Sequence, residues 1–191
     1  MQDTVDALEL AAGTTGNIVR ALTADDLSRP TPCAGWDVQH VLNHVVGGMR
    51  LYAAELTGAP APGDHEDDWL GNDPHAAYTD AAASVLAAWR AAGAEQRTIQ
   101  LSFGSVPAPM AAVVELTEIL VHGLDIAVAT GREELLDEAQ CESLFQSMRA
   151  MGMDAFRVPG IFDAERPAAA DAPSHVRLLA YLGRELAAVP T

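Results

Sequence analysis

Apolar residues recur along this chain at helical spacing, in long blocks separated by runs of turn residues. From Asp3 to Leu22, Val5, Leu8, Ala12, Thr15, Ile18, Val19 and Leu22 share one face. The turn-rich stretch Arg29 to Gly35 follows, and Asp37 is a natural N-cap for a second helix. That helix carries Val38, Val41, Leu42, Val45, Val46, Met49 and Tyr52 and ends near Gly58-Ala59-Pro60. Residues Ala59 to Asn72 form a Pro/Gly/Asp-rich acidic loop, expected to be mobile. Asp73-Pro74 opens a third helix, with proline at its first position, running through Tyr78, Val85 and Trp89 to about Glu95. Ile99 and Leu101 suggest a short strand near 98–103 before Gly104, Pro107 and Pro109 break the pattern. A fourth helix spans Met110 to Ala129 and closes at Thr130-Gly131. Two more fit Leu135 to Met153, capped by Asp137, and about Ser174 to Leu186.

There is no internal repeat and no alternation of strands with helices. The expectation is an all-α fold over 1–191 as one domain. An up-down four-helix bundle would occupy about 3–130 and a two-helix extension about 133–188.

The fourth helix breaks its own pattern. In an almost wholly apolar rod, Glu115, Glu118, His122 and Asp125 lie at offsets that place them in one narrow stripe, at about 100° per residue. Buried carboxylates are costly unless they are paired, hydrogen-bonded or bound to a cation. A divalent metal would satisfy the stripe, and so would a salt-bridge network with arginines such as Arg20 or Arg50.

Glu118 and His122 are one helical turn apart and can reach one ion. A third ligand must come from another helix, and His44 sits among the most apolar residues of the second. His40 lies nearer the Asp37 cap, where exposure is expected. The pattern therefore predicts a metal site of His44, Glu118 and His122, with Asp125 as a carboxylate able to orient a ligand from behind. Glu115 reads as the partner of an arginine, with a general base as the other reading.

Composition narrows the partners. A net charge of −16 opposes nucleic acid and anionic membrane surfaces. All 11 basic residues are arginine, which looks like the codon bias of a G+C-rich genome. No apolar run is long enough to span a bilayer, and the start lacks the character of a secretory signal. Two cysteines make no disulfide framework, so a reducing cytoplasm is the expected setting. Cys33 and Cys141 read as structural, Trp36 as a core anchor under the loop, and His65, His75 and His175 as solvated. Arg184 reads as a helix-end charge or a contact for an anionic ligand.

Three motifs then meet in order. Thr31-Pro32-Cys33-Ala34-Gly35-Trp36-Asp37-Val38 precedes Leu42-Asn43-His44-Val45-Val46-Gly47-Gly48. Glu118-Ile119-Leu120-Val121-His122-Gly123-Leu124-Asp125-Ile126-Ala127 follows, and Asp171-Ala172-Pro173 with Arg177 to Arg184 closes the chain. Together they resemble the mycothiol-dependent maleylpyruvate isomerase-like proteins of the DinB superfamily, in a short single-domain subgroup. The resemblance implies a DinB-like bundle holding a divalent metal, zinc or nickel, on the positions of His44, Glu118 and His122. Leu124 stands where the family commonly has tryptophan. The characterised isomerases also carry a larger C-terminal domain than this chain has room for.

The implied function is metal-dependent. A low-molecular-weight thiol, mycothiol-like, would be activated for transfer to, or isomerisation of, a small electrophile. The alternatives are a non-catalytic bundle that binds a metal or small ligand, and a metal-assisted hydrolase. A homodimer is compatible with all of them.

Overall fold

A computed structural model describes residues 2–101, 104–152, 154–157 and 162–186. Four long helices, α1 (Gln2–Ala21), α2 (Val38–Thr57), α3 (Pro74–Arg90) and α4 (Ala108–Thr130), make the bundle. A hairpin of β1 (Thr98–Leu101) and β2 (Gly104–Pro107) precedes α4, and α5 (Glu138–Met151) and α6 (Ser174–Tyr181) follow it. Each of α1 and α2 packs against both α3 and α4, so the order around the bundle is α1, α3, α2, α4 rather than chain order. No helix among the described residues is long and apolar enough to cross a membrane.

The predicted caps at Asp37 and Asp137 form, accepting from His40 N at 2.8 Å and Gln140 N at 2.9 Å, and Asp73 also caps α3, accepting from Ala76 N at 3.0 Å. Gly58 and Gly131 end α2 and α4 in the left-handed conformation.

Several boundaries differ from expectation. α3 stops at Arg90 because Ala91 turns extended and Gly93 begins a separate 3-10 turn. The predicted strand has a partner that the sequence hid: Gly104–Pro107 pairs antiparallel with it, Thr98 opposite Pro107. Pro107 sits at the end of the ladder, and Pro109 lies in the first turn of α4, where no N–H is needed. Residues 102 and 103 of the expected 98–103 strand lie outside the described residues. α5 begins only after its Asp137 cap, Leu135 belonging to a preceding 3-10 turn; the expected end at Met153 is also outside the described residues. α6 ends at Tyr181 and the chain turns at Gly183 before Arg184; residues 187 and 188 of the expected extension are not described.

Gly123 sets how α4 meets α1. A Cβ there would collide with the Thr15 hydroxyl, which donates to Ile119 O at 3.2 Å. Leu124 beside it is fully buried. The C-terminal helices are fastened by polar contacts: His175 bonds Glu138, and Arg177 bonds Glu142. His175 is thus buried and paired rather than solvated, because α6 lays its first turn against α5. His75 is exposed as expected, and Cys141 is fully buried in α5.

Candidate metal centre

The loop before α2 is a tight clasp. Thr31 N donates to Trp36 O at 3.0 Å, Trp36 N to Cys33 O at 3.0 Å, and the Thr31 hydroxyl reaches Trp36 O at 2.9 Å. Gly35 makes the reversal at φ +81°, a region open to glycine. The clasp presents Trp36 to three imidazoles, with ring centroids 4.3 Å from His40, 4.9 Å from His44 and 5.8 Å from His122. Trp36 is half-buried. It packs against the core, as expected, and also forms a wall of the site.

One turn of α2 holds the other wall. Asn43 donates to Asp67 O at 2.9 Å and accepts from Trp69 N at 2.8 Å, which pins the acidic loop to the helix. Gly47 leaves room for the Trp69 ring, since a Cβ there would stand 2.5 Å from it. The loop expected to be mobile is therefore anchored by a buried tryptophan. It also lays His65 on His44, ring centroids 4.5 Å apart, so His65 is exposed yet part of the site.

The stripe of α4 faces this wall. Glu118 Oε2 lies 3.2 Å from His44 Nε2 and 3.3 Å from His122 Nε2. The donor atoms of the three residues all fall within 4.8 Å of one another. Two ligand atoms each about 2.1 Å from a tetrahedral ion stand roughly 3.4 Å apart. The observed spacings match that, and two imidazoles with one carboxylate form a recognised donor set for a divalent ion, so the residues fit one. His40 is exposed at the start of α2, stacked on the Trp36 ring and outside this donor cluster.

Behind His122 a second tier is complete. His122 Nδ1 lies 3.0 Å from Asp125 Oδ2. Asp125 in turn accepts from Arg184 Nε at 3.2 Å and Nη2 at 3.1 Å. Arg184 is thus neither a free helix-end charge nor an anion site; a fully buried carboxylate needs a cation, and the turn at Gly183 delivers it.

Electrostatics follow from this wiring. Burial disfavours a charged Glu118, but hydrogen bonds from His122 and His44 outweigh it and hold the carboxyl well below the usual range. Burial pulls His122 down, yet its bonds to Asp125 and Glu118 lift it to about 9. Burial keeps His44 below the ordinary imidazole value, against the pull of Glu118. All three therefore answer to charge at one point. Cys33, His122 and Asp125 make a second, overlapping cluster. It is the poorer candidate: burial pushes the Cys33 thiol up to about 11, and Asp125 is already committed to Arg184.

Glu115 overturns its expectation. Among the described residues no arginine meets it; Trp89 Nε1 donates to its Oε2, and its Oε1 has no partner. It lines a cavity of about 240 Å³ that runs between α2, α4 and the hairpin, with His44 and Glu118 on the same wall. The side chain of Glu118 keeps 41 % of its surface open, so the cluster is reachable.

Bundle and cluster together define a helical protein with a His/Glu/His constellation at the edge of an apolar cavity. Residues 8–127 match the family described as the mycothiol maleylpyruvate isomerase N-terminal domain, and the chain belongs to that family. An uncharacterized protein of Mycobacterium tuberculosis strain H37Rv and its counterpart in strain CDC 1551 are each 32 % identical over 162 residues, 84 % of this chain and 86 % of theirs. No solved structure matches the chain.

Proposed function

We propose that this protein is a metal-dependent enzyme of thiol chemistry, with His44, Glu118 and His122 as the metal ligands. The observation that carries it is the convergence of three donor atoms, at 3.2 and 3.3 Å about Glu118 Oε2, beside an open cavity. A divalent ion held there, zinc or nickel, would lower the pKa of a bound thiol and supply thiolate near neutral pH. Asp125 holds His122 in the tautomer that leaves Nε2 free, and Arg184 fixes Asp125 with two hydrogen bonds. Trp36 and the loop carrying His65 wall the cluster from either side. The cavity then receives the small electrophile. Family membership supports a mycothiol-like thiol as co-substrate. Both cysteines are free thiols, in keeping with a reducing compartment such as the cytoplasm.

The test is thiol consumption. Zinc- or nickel-loaded protein, given mycothiol and a chromogenic aryl halide, should consume thiol at a rate abolished by chelation and restored by the ion. No metal-dependent rate with mycothiol or any other low-molecular-weight thiol would favour a bundle that only binds. A rate of ester or amide hydrolysis without thiol would favour the hydrolase.

A further inference from the structure

The cavity has an apolar body and two hydrogen-bonding groups with nothing to bond. Met49, Leu51, Ile99, Leu101, Val114 and Ile119 supply the greasy walls. Tyr52 and Glu115 line it as well, both buried, and among the described residues the Tyr52 hydroxyl and Glu115 Oε1 each lack a hydrogen-bond partner. Such orphans are rare in folded proteins and cost stability unless a ligand or water completes them. We infer that Tyr52 and Glu115 form a recognition pair for the oxygen of a small, uncharged, largely apolar carbonyl compound.

The donor count points to a carbonyl. Trp89 donates to Glu115 Oε2, and no cation neutralises the carboxyl. A buried carboxyl without a counter-charge keeps its proton, here because burial outweighs the Trp89 bond and raises it to about 8. With Oε2 accepting from Trp89, the proton belongs on Oε1, the atom without a partner. Burial, reinforced by the Glu118 carboxylate, keeps the Tyr52 hydroxyl protonated too. Two O–H donors can then meet the two lone pairs of one carbonyl oxygen.

The remaining lining selects against anions. Glu55 and Glu118 are acidic, and none of the described lining residues is an arginine. A carboxylate placed there would face like charge with no guanidinium to neutralise it. Size sets the other limit: an engineered apolar cavity of about 150 Å³ holds benzene, so one of about 240 Å³ accepts a monosubstituted benzene. This names the electrophile class for the proposed thiol chemistry and rests on that reading for the reaction alone. The binding itself needs only the cavity.

Acetophenone, ethylbenzene and benzoate separate the possibilities, titrated by protein-observed NMR into chelator-stripped protein and again after zinc loading. Each hydrogen bond is worth about three- to tenfold in affinity. Acetophenone should therefore bind at least about tenfold more tightly than ethylbenzene, with benzoate weakest. Tyr52→Phe should cut the acetophenone-to-ethylbenzene ratio at least about threefold while ethylbenzene affinity stays within about twofold. That hydroxyl bonds nothing among the described residues, so the variant keeps its stability. Glu115→Leu should act likewise, and Tyr52→Phe decides alone if that variant does not fold. Equal affinities, no binding of either neutral probe, preference for benzoate, or a ratio unmoved by Tyr52→Phe overturns the inference. Discrimination that persists in stripped protein, without metal-dependent thiol consumption, upholds this inference and sinks the proposed reaction.

Discussion

His122 Nδ1 stands 3.0 Å from Asp125 Oδ2, and that contact decides which nitrogen of the ring faces Glu118. An ionised carboxylate only accepts, so Nδ1 carries the hydrogen and donates it. Nε2 is left to face Glu118 and His44.

The first prediction concerns that contact. Asp125→Asn keeps the shape but weakens the acceptor, and Asp125→Ala removes it and strands the Arg184 guanidinium. Zinc affinity, measured by competition with a chromogenic chelator, should fall about ten- to hundredfold in both. The alanine variant should also lose about 3–5 kcal/mol of stability, because a buried charge loses its partner. Unchanged affinity in Asp125→Ala would mean that the carboxylate serves packing alone.

Glu115 makes the fold sensitive to alkali. Its folded pKa is raised from 4.5 to about 8, so between those values the folded chain holds a proton that the unfolded chain has released. Stability is then fully present below about pH 4.5 and declines with rising pH until about 8, by up to about 1.4 kcal/mol per pH unit. Without metal, His122, raised from 6.5 to about 9, adds a decline of the same sign over its own window. Urea unfolding of stripped protein from pH 5 to 8 should show a shallower decline in Glu115→Gln than in the natural chain, and the difference isolates Glu115. Parallel declines would show that Glu115 titrates normally.

Gly47 and Trp69 supply a mechanical prediction. A methyl group at Gly47 would sit 2.5 Å from the indole, whose backbone N is tied to Asn43. Gly47→Ala should cost about 1–3 kcal/mol as the ring is displaced. Limited proteolysis should then cut within 59–72 faster than in the natural chain. Equal cutting rates would mean that the loop does not depend on this packing.

The bundle was readable because each long helix carries its own apolar face, and Asp37, Asp73 and Asp137 mark the starts of α2, α3 and α5. The convergence of His44, Glu118 and His122 was readable for a related reason: polar residues are conspicuous where helical spacing demands apolar ones. What escaped depended on contacts between distant segments. Arg184 reaches Asp125 across 59 positions, and no local pattern marks such a pair. Trp36 looks like a core aromatic in sequence, yet it stacks on the imidazoles, and Trp69, inside a loop that reads as mobile, pins the segment that brings His65 to them. Glu115 was mistaken for an arginine partner because spacing shows which face a carboxyl occupies, not what stands opposite; Trp89 stands there. The strand Gly104–Pro107 was obscured by its two breakers, both of which lie at permissive positions.

The central claim is that His44, Glu118 and His122 hold one divalent ion between them. Metal analysis of the purified protein, beside His44→Ala, Glu118→Ala and His122→Ala after identical zinc loading and dialysis, tests it directly. The account predicts about one ion per chain in the natural protein and loss of most of it in each variant, with helical content preserved. Full occupancy in Glu118→Ala and His44→Ala, or none in the natural chain, would contradict it.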